Sequence, residues 1–177
     1  MPNPPIDMNE FVGRTNTFVH GYAGATVNAH TMKPHNLHDP GFIVAEHTRH
    51  TGTKYGPYTE KKGNNLRSRM LADPAVKADP HATMGTWTRG PEGAESREKT
   101  STVTDRGVHV NTGDHVADME KSVLMGHRNK QDAVFNLRDP GDIATKTHAD
   151  LQHARIHATV HPERTSAFTK PNPLFGE

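Results

Sequence analysis

The chain has 177 residues, with 21 Lys and Arg against 20 Asp and Glu for a net charge of +1. Ile, Leu, Val and Phe together make only 29 of them, roughly 16%, under the roughly 20% at which chains tend to stay disordered. Burying so few aliphatic groups falls short of a backbone ordering cost of about 1 to 2 kcal/mol per residue, which speaks against an independent core. The charge balance in turn speaks against disorder by self-repulsion.

No cysteine is present, so disulfide frameworks and thiolate metal sites are excluded. The start, MPNPPIDMNEF, has neither an apolar run nor a basic amphipathic stretch, which predicts no signal or transit peptide. No run of 18 apolar residues occurs, so no membrane partner is expected. Lys and Arg are scattered rather than gathered into a stripe, which argues against nucleic acid. The expected setting is the cytoplasm.

In chain order, residues 1–34 read as extended, because Phe11, Phe18 and Tyr22 are separated by Gly13, Gly21 and Gly24 rather than set on a helical stripe. Asp39-Pro40 then reads as a helix start, and a helix is predicted over 40–51, closed by Gly52. Residues 53–69 read as a polar loop carrying Tyr55 and Tyr58. A single turn is expected at Asp73-Pro74, ended by Pro80. Residues 84–113 are rich in Gly, Thr and charge, with Trp87 isolated and only Val108 and Val110 hinting at a strand. A helix is predicted over 115–125, capped by Asp114, and another over 140–160, capped by Asp139 and stopped by Pro162. The fold class expected is a mostly irregular, extended chain with a few short α-helices and no independent globular core, a single assembly-bound unit over residues 1–177.

One segment echoes another. Asn36-Leu37-His38-Asp39-Pro40-Gly41 returns as Asn136-Leu137-Arg138-Asp139-Pro140-Gly141, with Leu71-Ala72-Asp73-Pro74 as a partial third copy. Two readings stay open: Asp-Pro is a common helix start, or each copy docks on a repeated surface of a partner.

The search for chemistry centres on 14 histidines. His153, His157 and His161 recur at four-residue spacing, which on a helix would place three imidazoles on one face as zinc ligands. The Glu of an H-E-x-x-H motif is absent, since Ala154 and Ala158 follow the first two, so surface histidines are favoured over a metal site. The five serines lie in no G-x-S-x-G turn, and neither phosphate loop nor dinucleotide fingerprint occurs. No enzyme and no cofactor is expected. What remains is a set of spaced aromatic anchors, Phe11, Phe18, Tyr22, Tyr55, Tyr58, Trp87, Phe168 and Phe175, of the kind with which a flexible chain grips partner pockets.

The Pro2-Asn3-Pro4-Pro5 start, the expected repeated short Asp-Pro helices, the Tyr55-Gly56-Pro57-Tyr58 loop and the Pro173-Leu174-Phe175-Gly176-Glu177 tail together resemble the small microtubule inner proteins of ciliary and flagellar doublet microtubules. That resemblance implies a structural protein of the axonemal cytoskeleton, in contact with tubulin and neighbouring inner proteins and without chemistry of its own. A minor capsid or cement protein of a virus shares the same style. A histidine-rich metal-binding module is a third alternative.

Overall fold

The computed structural model describes residues 3–17, 23–46, 48–89, 101–131, 133–138, 141–145 and 169–170. They fall into two compact units, one taking residues up to 35 and 48–106, the other 36–46 and the residues from 107 onward. The expectation of a mostly irregular, extended chain without a core is overturned, because both units bury β-sheet against helix.

In the first unit, the Asp7 carboxylate accepts the Glu10 N–H at 2.8 Å and opens helix α1, Met8–Asn16. Phe11 and Thr15, one turn apart, form its buried face. Strand β1, Ala23–Asn28, turns Ala23, Ala25 and Val27 inward and its alternate residues outward. Residues 1–34 are thus a helix and a strand where extended chain is expected. Strand β3, Gly52–Tyr55, precedes helix α2, Glu60–Ala72, and helix α3, Pro74–Ala78. The loop expected over 53–69 is therefore mostly α2, capped by Thr59 on the Lys62 N–H and held by only Gly63, Leu66 and Met70. Gly63 allows the Met8 thioether to press against the helix backbone. At Asp73-Pro74 a helix does begin, with the carboxylate accepting the Ala75 N–H at 3.0 Å.

Strand β4, Ala82–Arg89, pairs antiparallel with β1, and β5, Ser101–Val110, lies beside it; Gly52–Tyr55 of β3 pairs with residues 101–104 of β5. The core of this unit is Ile6, Phe11, Val27, Leu66 and Val76 filled out by Met32, Met70, Met84, Tyr58 and three alanines. Its polar members are threonines. Thr15 donates to the Phe11 carbonyl at 2.9 Å and lies 2.7 Å from Thr86 Oγ1. With the Thr15 proton on the Phe11 carbonyl, the single Thr86 proton is shared between Thr15 and the Ala25 carbonyl, 3.3 Å away. Likewise Thr88 donates to the Thr15 carbonyl at 2.9 Å, so Thr102, 2.9 Å away, donates to Thr88. Counting only Ile, Leu, Val and Phe misses a core that also draws on Ala, Met, Tyr and mostly hydrogen-bonded Thr.

The second unit takes the end of β5 and adds β2 (Phe42–Glu46), β6 (Ala133–Asn136), β7 (Gly141–Ala144) and β8 (Thr169–Lys170), in the order β5-β2-β6-β7-β8. Helix α4, His115–Arg128, spans the stretch where 115–125 is expected, with Asp114 accepting the Val116 and Ala117 N–H groups. It packs Met119 and Val123 into a core with Phe42, Val44, Val110, Val134 and Ile143. The helix expected over 40–51 is instead β2, followed by the turn at 48–50 that precedes β3. Phe42 and Val44 alternate inward, and Gly41 sits at φ +101°, outside any helix. The helix expected over 140–160 begins as β7; residues 146–160 lie outside the described residues.

The echoed segments meet here. Asp39 accepts the Asn36 N–H at 2.8 Å, reaching backwards to close a turn rather than forwards to cap a helix. The His38 N–H donates to the Leu137 carbonyl at 2.7 Å, the Leu137 N–H donates to the Gly41 carbonyl at 3.1 Å, and Phe42 faces Asn136 in the ladder. The first copy is a turn that leads into β2, bonded to Leu137 of the second, so Asp39-Pro40 marks β rather than α structure; Asp139-Pro140 lies outside the described residues.

Gly126 of α4 leaves no room for a side chain, since a Cβ there would lie 2.5 Å from Val134 Cγ1. Gly126→Ala is expected to destabilise the chain by about 1–3 kcal/mol through overpacking, against the usual gain of Ala in a helix. Thr86→Val, nearly isosteric, is expected to cost about 1–3 kcal/mol by removing the hydroxyl that accepts the Ala25 N–H and pairs with the Thr15 hydroxyl. Denaturant titration checks both.

Candidate functional site

Three features of the first unit carry side chains that chemistry or recognition could use. The first is a carboxylate. Asp105 is half-buried on β5, and a Cβ on Gly85 of β4 would lie 2.5 Å from its Oδ1, so only glycine lets the carboxylate rest over that strand. Burial pushes Asp105 up to about 6. Its neighbour Arg106 is engaged elsewhere, 3.6 Å from Asp79 at the end of α3. Asp105 can thus hold or release a proton near neutrality.

The second is a His–Asp pair. His50 Nε2 lies 2.8 Å from Asp73 Oδ2, and the Arg49 guanidinium reaches the same oxygen at 3.1 Å. The hydrogen bond from His50 and that from the Ala75 N–H hold the Asp73 carboxyl at about 2. His50 is only 3% exposed, so its ring does not meet a substrate from solvent. The pair ties the turn before β3 to the N-terminus of α3, and Thr104 strengthens that tie by donating to the Gly52 carbonyl at 3.3 Å.

The third feature is the β3 edge. Thr53, Lys54 and Tyr55 are all exposed, on both faces of the strand, and Tyr55 is 80% accessible. Lys62 fixes the end of β3 by donating through Nζ to the Tyr55 carbonyl at 3.1 Å and the Pro57 carbonyl at 2.8 Å. Among the described residues β5 is the one strand that β3 pairs with, and none pairs with its other edge.

Of the expected aromatic anchors, the structure turns Phe11 and Tyr58 inward. They meet edge to face with ring centroids 6.5 Å apart, so the area they were expected to offer a partner is spent inside the unit. Trp87 is half-buried on β4, opposite Gly24 in the ladder. Tyr55 alone of these four stands out in solvent. Phe18, Tyr22, Phe168 and Phe175 lie outside the described residues, as do His153, His157 and His161. Among the described residues no three His, Asp or Glu side chains gather in a way that could hold a metal, and no helix is long and apolar enough to cross a membrane.

Sequence reasoning missed a local charge signal. Between residues 48 and 72 stand six cations, Arg49, Lys54, Lys61, Lys62, Arg67 and Arg69, against the single anion Glu60, a net +5 in a chain of net +1. A windowed charge count finds this. No protein-family model, characterised protein or solved structure matches the chain.

Tyr58 Oη is buried without a hydrogen-bond partner among the described residues, and burial pushes the phenol up to about 12. Tyr58→Phe is therefore expected to leave the melting temperature unchanged or raised, as differential scanning fluorimetry will read. The two carboxylates act oppositely with pH. Asp73, depressed when folded, contributes stability above about pH 4 that is lost as pH falls towards 2. Asp105, raised when folded, contributes stability below about pH 4 that is lost as pH rises through about 6. Relative to wild type, Asp105→Asn is expected to flatten the melting profile between pH 4 and about 6, and Asp73→Asn the profile below about pH 4.

Proposed function

We propose that this chain is a non-catalytic structural component of a larger protein assembly, attached through the open edge of β3 and the outward ring of Tyr55. The observation that carries the reading is a four-residue strand paired, among the described residues, on one side only, with Thr53, Lys54 and Tyr55 exposed. Proteins normally shield such edges, because the unpaired N–H and C=O groups are a template for another chain. A tyrosine offers a broad apolar face with a polar tip, which suits a docking anchor. The most specific setting is the lumen of ciliary and flagellar doublet microtubules, with tubulin and neighbouring inner proteins as contacts. Its support is the resemblance borne by the two termini and the Tyr55-Gly56-Pro57-Tyr58 loop. In this reading two folded units, rather than an extended thread, occupy the assembly.

The test is retention. In ciliated cells the tagged chain is expected to stay with salt-washed axonemes, and Tyr55→Ala to release it with about tenfold weaker retention at an unchanged melting temperature. Absence of the wild-type chain from washed axonemes removes the ciliary setting; equal retention of Tyr55→Ala removes the β3 edge as the attachment.

A further inference from the structure

We infer that β3 is completed by an extended, acidic peptide segment of a partner protein, which adds to its open edge as a further strand. This deepens the structural reading above and rests on it. Three observations converge on that occupant.

The first is geometry. β3 pairs with β5 through Gly52, Thr53, Lys54 and Tyr55, and in an antiparallel ladder the backbone groups of alternate residues point to the far side. A peptide strand satisfies those groups, and no other ligand class presents donors and acceptors at the same repeat. The end of the strand is already held, since Lys62 clamps the Tyr55 and Pro57 carbonyls. The edge therefore needs little ordering before it binds.

The second is charge. The segment of residues 48–72, which contains β3, carries a net +5, offset at Arg49 by Asp73 just beyond it. Part of that charge is committed internally, Arg67 to the Ala29 and His30 carbonyls and Arg49 to Asp73. Lys54 on the strand and Lys61 on the first turn of α2 stand exposed. Two exposed lysines beside a strand match carboxylates at alternate positions of a peptide better than the unbroken phosphate row of a nucleic acid.

The third excludes self-association. Two copies of this chain paired antiparallel and in register through β3 would bring their Lys54 side chains together, a like-charge arrangement that costs energy. The exposed lysine that blocks self-pairing is the same group that selects an acidic partner.

The test uses the full chain, isotope-labelled, and a fluorescent synthetic peptide of about ten alternating Glu and Val residues. Binding at low salt is expected to shift and protect the amides of residues 52–55, to weaken as salt rises, and to weaken at least about fivefold in Lys54→Glu. The same peptide with every second backbone nitrogen methylated keeps its charge but loses strand donors, and is expected to bind at least about tenfold more weakly. Equal binding of the methylated peptide overturns strand addition and leaves plain charge attraction. Perturbation of amides elsewhere but not at 52–55 overturns the site, and tighter binding of an oligothymidine than of the peptide overturns the choice of partner. No binding of the Glu-Val peptide at low salt overturns the inference as a whole. Loss of axonemal retention with peptide binding intact sinks the ciliary setting alone; retention that survives Lys54→Glu while peptide binding is lost sinks this inference alone.

Discussion

The buried face of α1 against the β1–β4 ladder is the contact from which the first unit is built. Phe11 supplies the bulk of that face and Thr15 its polar anchor, hydrogen-bonded within its own helix and to Thr86 across the sheet. A hydroxyl buried alone would cost several kcal/mol, so the arrangement holds only because each threonine in the run has a partner. Thr88 and Thr102 extend the run to β5, and Thr104 carries it towards the turn at His50. Small and hydroxylated residues let helix and sheet approach closely, and methionines fill the irregular space left over.

What this core positions is the turn before β3 and the strand itself. Thr104 bonds the carbonyls of His50 and Gly52, and Asp73 bonds His50 from the start of α3. The strand is thereby tied down at its root by buried groups and at its tip by Lys62, while Thr53, Lys54 and Tyr55 stay exposed and no described strand pairs with its outer edge. Rigid support beneath an unpaired edge is what distinguishes a recognition strand from a frayed one. The same division explains why His50 and Asp73, which resemble a catalytic pair in type and distance, act as a brace: the ring is enclosed.

The aromatic residues show how far residue type reaches in reading a function. Phe11, Tyr55, Tyr58 and Trp87 look alike as spaced anchors, yet the fold assigns two to the core, one to a half-buried strand position and one to open solvent. Nothing local separates Tyr55 from Tyr58, three residues on; their fates differ because Asn16 of α1 accepts the Tyr58 N–H and donates to its carbonyl, drawing that ring under the helix. The Asn36–Gly41 and Asn136–Gly141 segments teach the same lesson. Their shared spelling was legible, and their pairing with one another was not.

Local chemistry sufficed at two helix heads, though not at Asp7 and Thr59, whose caps are as local, nor at Asp39, whose bond to the Asn36 N–H closes a turn. Asp114 at the head of α4 and Asp73 at the head of α3 could be read from spacing, because a cap is closed within three residues. The net +5 around β3 was equally present in the chain as written. Tertiary structure alone decided that Asp39-Pro40 leads into a strand, that residues 60–72 coil on a stripe of three inward positions, and that threonines rather than leucines fill the sheet interior. Those outcomes depend on partners tens of residues away, and a hydroxyl counts as core material only once another chain segment supplies its hydrogen bond.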